Sequence, residues 1–111
     1  MKLTETQIQG QIIDWLRLHG AVVTRINSGS VLLQNSNGST RRVKLADAGT
    51  SDIIACLHGG EYVAIEVKRP GEKPTPAQEL FIDQVNATGG LAFVARSVED
   101  VEKALGQEGI C

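Results

Sequence analysis

At 111 residues and 41% hydrophobic content, the chain can bury one sizeable core but is too short for two, so a single domain over residues 1–111 is expected. A net charge of −2 and a sequence pI near 5.6 argue against a large, uniformly basic nucleic-acid footprint. No apolar run approaches the ~18 residues of a membrane span, which leads to the expectation of a soluble, cytoplasmic protein with no membrane partner.

The first element opens on Thr4-Glu5-Thr6-Gln7, a capping box with Thr4 as N-cap, and Gly20 closes the helix that follows. Its apolar stripe is Ile8, Ile12, Ile13, Trp15 and Leu16, and Glu5 falls near the middle of that stripe on a helical wheel. Glu5 has two readings: a first-turn carboxylate that complements the helix dipole, or a carboxylate aimed inward for chemistry. The β-branched stretch Ala21 to Ile26 reads as a strand ended by Asn27-Ser28-Gly29.

Val31 to Gln34 and Thr40 to Leu45 flank Asn35-Ser36-Asn37-Gly38, in which Asn-Gly is a hairpin turn signal. Alternation places Arg41, Val43 and Leu45 on one face and Arg42 and Lys44 on the other. These cations form either a solvated strand face or a basic ribbon that lies along phosphates.

A second hairpin joins Ile53–Leu57 to Glu61–Lys68 through His58-Gly59-Gly60. Val63, Ile65 and Val67 share one face, while Tyr62, Ala64, Glu66 and Lys68 share the other. Antiparallel pairing across this turn brings Asp52, at the mouth of the first strand, opposite the region of Glu66 to Lys68. Charged groups rarely enter such an apolar setting unless they are paired or bound to metal. Two carboxylates beside an open edge suit a hard divalent cation with oxygen ligands, and the adjacent ammonium suits work on a water or a phosphate. The pattern points to phosphodiester chemistry.

Arg69 to Pro74 reads as a loop carrying Arg69 and Lys73, and Thr75-Pro76-Ala77-Gln78 as a capped helix start with proline at its first position. The cap gives Gln78 a complete structural explanation, although a helix N-terminus aimed at the site also favours phosphate. This helix is expected to bury Leu80, Phe81 and Val85 and to stop at Gly89-Gly90. Leu91 to Ala95 follows as an apolar strand, and Ser97-Val98-Glu99-Asp100 opens a last helix with Val98, Val101 and Leu105 on one face. Cys56 and Cys111 supply neither a disulfide framework nor a zinc pair, and His19 and His58 read as structural. The order α-β-β-β-β-β-α-β-α makes an α/β domain with a mixed central β-sheet flanked by helices and the second hairpin at its middle.

Asp52 followed one strand later by Glu66-Val67-Lys68 resembles the PD-(D/E)XK nuclease superfamily, and the surrounding residues narrow the resemblance to its VRR-NUC family. It takes in Glu5, Arg25-Ile26-Asn27, Gly49 through Asp52, Ile65 through Arg69, Gln78 and Gly90 through Ala95, and so spans nearly the whole chain. Ser51 departs from the pattern, standing where many relatives have proline.

The resemblance implies a restriction endonuclease-like core and a Mg²⁺- or Mn²⁺-dependent endonuclease acting on DNA, with no organic cofactor. In it Asp52, Glu66 and the Val67 carbonyl hold metal, Glu5 supports them, and Lys68 and Gln78 position the water. Arg41, Arg42, Lys44, Arg69 and Lys73 are the candidate DNA contacts. Kinship with small relatives suggests a Holliday junction resolvase-like homodimer. The competing readings are a nucleic-acid-binding module that keeps the fold without catalysis, and a structural domain in which Glu66 and Lys68 form a surface ion pair.

Overall fold

The computed structural model describes residues 2–26, 30–44 and 46–107. Asn27, Ser28, Gly29, Leu45 and Cys111, together with the side chain of Lys44, lie outside the described residues. The elements follow the expected order: α1 (Glu5–Leu18), β1 (Val22–Arg25), β2 (Ser30–Gln34), β3 (Thr40–Lys44), β4 (Ile53–Cys56), β5 (Tyr62–Val67), α2 (Pro76–Ala87), β6 (Leu91–Ala95) and α3 (Val98–Gln107).

Four strands make one mixed sheet in the order β1-β4-β5-β6, with β1/β4 and β4/β5 antiparallel and β5/β6 parallel. The β4–β5 hairpin is its middle, as its apolar character requires, since β5 is buried on both faces from Val63 to Val67. One face carries the core. Ile8, Ile12, Ile13 and Leu16 of α1 and Val101 and Leu105 of α3 pack there on Ile53, Ala55, Val63, Ile65, Val67 and Ala95.

On the opposite face the small residues Ala64 and Ala92, both buried, let α2 lie close to β5 and β6. Asn86 ties the end of this helix to β6, donating to the Ala92 carbonyl (3.0 Å) and accepting from the Ala92 amide (2.8 Å).

The structure corrects the expected buried face of α2. Leu80 is 58% exposed, and the half-buried positions are Gln78, Phe81, Ile82 and Val85. Their spacing of i, i+3, i+4, i+7 is one helical stripe, and Leu80 falls beside it. The same rotation sets Gln78 on the inward stripe at the start of the helix.

The β2–β3 hairpin forms with the expected turn: Asn35 N–H donates to the Ser39 carbonyl (2.7 Å), and Gly38 adopts φ +90°. It makes its own two-stranded sheet, and among the described residues no other strand or helix packs against it. The chain is consequently elongated, 54 × 37 × 28 Å, with a radius of gyration of 15.6 Å, against about 13 Å expected for a compact chain of this length. Leu32 and Leu33, 61% and 41% exposed, stand on this ribbon across from Arg42 and Arg41.

His19 is structural, as expected: its ring stacks on Trp15 with centroids 4.0 Å apart, and Nδ1 lies 2.8 Å from the Trp15 carbonyl. No helix among the described residues is long and apolar enough to cross a membrane.

Candidate active site

Asp52 is held from both sides. Its carbonyl accepts from Ile26 N–H (2.7 Å), which continues the β1–β4 ladder, and its Oδ2 accepts from Val67 N–H (2.9 Å), which caps β5. Two such bonds on one short side chain and its own backbone leave it little rotational freedom. The register pairs Ile53 with Ile65, so Asp52 lies opposite Glu66 on the same face of the sheet, as the alternation requires.

The loop that delivers Asp52 is set by Gly49. Gly49 adopts φ +88°, and a Cβ there would run into the Ala77 carbonyl in the first turn of α2. The approach to β4 therefore abuts the helix start that carries Gln78. Ser51 is fully buried, with its hydroxyl unpartnered among the described residues.

Glu66 is 1% exposed, and its Oε1 has no hydrogen-bond partner among the described residues. Burial chiefly, then hydrogen bonding to Asp52 and the negative charge of Asp52, push its pKa up to about 9; Lys68 opposes this shift and Glu5 adds to it. At neutral pH without a cation, Glu66 keeps its proton.

Glu5 stands at the first position of α1, half-buried. Its pKa is raised by burial and by Asp52, lowered by Lys68, raised by Glu72 and lowered by Arg69. Both of its sequence readings survive: it begins the helix, and it sits in the field of the Asp52–Glu66 pair. Lys68 is half-buried, and its N–H extends the β5–β6 ladder by donating to the Ala95 carbonyl (3.1 Å).

Gln78 completes the α2 capping box, accepting from Thr75 N–H through Oε1 (2.9 Å) while its own N–H donates to Thr75 Oγ1 (3.2 Å). With Oε1 so engaged, the carboxamide NH₂ is the group Gln78 has to offer a water or phosphate oxygen.

Among the described residues, no three His, Cys, Asp or Glu side chains gather as a ready-made metal site. The close pair is Asp52 and Glu66. A buried acidic oxygen without a partner next to a second carboxylate is nonetheless a donor set that suits a hard cation. The Val67 carbonyl belongs to the residue whose N–H already holds Asp52.

Arg69 and Lys73 lie exposed on the loop between β5 and α2, Arg69 directly after Lys68, whereas Arg41 and Arg42 are carried on the separate β2–β3 ribbon. Arg25 is used within the body, where Nε and Nη2 donate to Gln9 Oε1 at 2.9 and 2.6 Å. Sequence reasoning missed Arg96, which enters this neighbourhood from β6 and donates through Nη2 to the Glu72 carbonyl (2.6 Å). No local pattern marks it, because its partner lies far away in the chain.

The chain matches the VRR-NUC domain over residues 3–99. It belongs to the VRR-NUC family. Two solved structures share the fold: a VRR_NUC domain (TM-score 0.67, 21% identity, covering 92% of this chain and 94% of that one) and a VRR_NUC domain protein (TM-score 0.61, 21% identity, 96% and 88%). No curated protein matches the chain. Membership of this family makes the chain a nuclease-family protein and agrees with its mixed α/β sheet flanked by helices.

Proposed function

We propose that this VRR-NUC chain is a Mg²⁺- or Mn²⁺-dependent endonuclease that hydrolyses DNA phosphodiester bonds, with a preference for branched substrates such as a four-way junction. The observation that carries this reading is Glu66: a fully buried carboxyl with an unpartnered oxygen, facing Asp52 at the open end of the sheet. Asp52, Glu66 and the Val67 carbonyl would hold the cation, with Glu5 supporting from α1. Bound there, a divalent cation supplies a Lewis acid for the phosphoryl oxygen and lowers the pKa of a coordinated water.

The chain's own residues do the rest. Val67 N–H fixes the Asp52 carboxylate, so its geometry is set before any ligand arrives. Lys68 directs an ammonium toward the same end of the sheet, where it orients the attacking water and offsets charge on the phosphate. Gln78 adds a donor from the start of α2.

The β2–β3 ribbon supports a homodimer. A two-stranded hairpin is marginal alone in water, and this one presents Leu32 and Leu33 with no other strand or helix packed against it among the described residues. A two-fold partner packed on one face of the ribbon would bury Leu32 or Leu33, which point to opposite faces, and supply the second metal site that paired strand cuts require.

The test is a cleavage panel of four-way junction, flap, nicked and plain duplex DNA in Mg²⁺, Mn²⁺ or EDTA. Cleavage with either metal, none in EDTA, and the fastest cutting on the junction are expected. Binding without cleavage in every metal would favour the non-catalytic module.

A further inference from the structure

The parallel register of β5 and β6 pairs Val67 with Ala95, so the residues just beyond each strand emerge side by side at their carboxyl ends. Crevices outside the carboxyl ends of such strands are where open α/β sheets take ligands. Here a groove of about 310 Å³ is lined by Lys2, Leu3, Ile8, Arg69, Pro70 and Arg96. Its three cations come from three separate places: the segment before α1, the loop after β5 and the end of β6.

Arg96 is pre-positioned. Its N–H donates to Asp100 Oδ2 (2.8 Å), and Nη2 is anchored on the Glu72 carbonyl (2.6 Å). Arg69 sits on a closed turn, donating through N–H to Glu72 Oε1 (2.9 Å) and accepting Glu72 N–H on its carbonyl (3.0 Å). The neighbouring carboxylates of Glu72 and Asp100 are thus engaged by main-chain N–H groups. The groove adjoins the candidate site through the chain: Arg69 directly follows Lys68, and Ile8 lies one turn along α1 from Glu5.

We infer that this groove is a phosphate subsite for the substrate strand, in which Lys2, Arg69 and Arg96 take a backbone phosphate next to the one under attack. Leu3, Ile8 and Pro70 provide an apolar wall for the adjoining sugar. Guanidinium forks suit phosphate oxygens, and a phosphate contact fixes the register of a strand without reading its sequence. This inference rests on the nuclease reading and adds Lys2 and Arg96 to its machinery.

The experiment is fluorescence anisotropy on the full chain in EDTA, with a nicked duplex bearing a 5′-phosphate, the same duplex bearing a 5′-hydroxyl, and an intact hairpin-ended duplex, titrated across salt. Replacing Lys2, Arg69 and Arg96 together with Gln should weaken binding about tenfold or more and reduce the salt slope by about 1. Equal loss on all three probes identifies an internal phosphate; loss confined to the 5′-phosphate probe identifies a terminal one. Lys103→Gln, which removes a charge from an exposed position on α3, should leave the slope unchanged.

Lys2→Gln plus Arg69→Gln, both at exposed side chains, tests the groove without touching the Arg96 anchor. Arg96→Lys should retain more affinity than Arg96→Gln, whereas a purely structural Arg96 would make the two alike. Wild-type affinity and slope in the folded triple variant would overturn the subsite, even if wild type cleaves DNA. A reduced slope in a protein that cuts nothing would sink the nuclease reading and keep the subsite.

Discussion

The Glu66 carboxyl cannot ionise at neutral pH without a counter-charge, because burial and the facing Asp52 hold its pKa near 9, well above the ordinary 4.5. Between about pH 4.5 and 9 the unfolded chain has released a proton that the native state keeps, so native stability falls as pH rises through that window. Glu66→Gln mimics the protonated acid and should flatten this slope, raising the metal-free melting temperature above wild type at pH 8 but little at pH 4.5. Parallel melting curves for the two proteins would contradict the raised pKa.

On the proposed reading the same pair decides activity. Asp52→Ala or Glu66→Ala should abolish metal-dependent cleavage while the fold survives, as circular dichroism would report, and wild-type rates in both would refute the site. Lys68→Ala should lower the rate severely with metal affinity largely intact, and Lys68→Arg should rescue little, since a guanidinium differs in shape and does not readily release a proton. The convergence of Asp52 on Glu66 was legible because a tight Gly59-Gly60 turn and period-2 alternation fix register locally. Arg96 was not, because its place depends on a parallel pairing across a whole helix.

Among the elements, α2 shows where pattern reading stops. Its capping box and proline start were readable from four residues, but which of Leu80 and Ile82 faces inward depends on how the helix rotates against Ala64 and Ala92. That rotation also sets the contact between Ala77 and Gly49, which couples the helix start to the Asp52 loop. Gly49→Ala adds a side chain at positive φ and a clash with backbone, and should cost about 2 kcal/mol or more of stability. Its urea midpoint should drop and cleavage should fall further than stability alone explains, because Asp52 is displaced. An unchanged midpoint would show that the loop adapts freely.

The detachment of the β2–β3 ribbon was equally invisible in the sequence: its Asn-Gly turn and alternation specify a hairpin, not what lies against it.

For the whole molecule, the elongated shape follows from that ribbon, and so does the expected assembly. Light scattering at micromolar concentration should give a dimer, alone or on a four-way junction, and Leu32→Asn with Leu33→Asn should shift it toward monomer. A monomer that stays monomeric on the junction would leave the metal chemistry standing and remove the resolvase-like reading.

Isothermal titration of Mn²⁺ into the metal-free protein at pH 7, run in two buffers of different ionisation enthalpy, asks whether the Asp52–Glu66 pair takes a cation. Binding must displace the proton that Glu66 retains, so close to one proton should be released per ion bound, and Glu66→Gln should lose both the affinity and the proton release. Mn²⁺ heats in Glu66→Gln that match wild type, or binding with no proton released, would contradict the account.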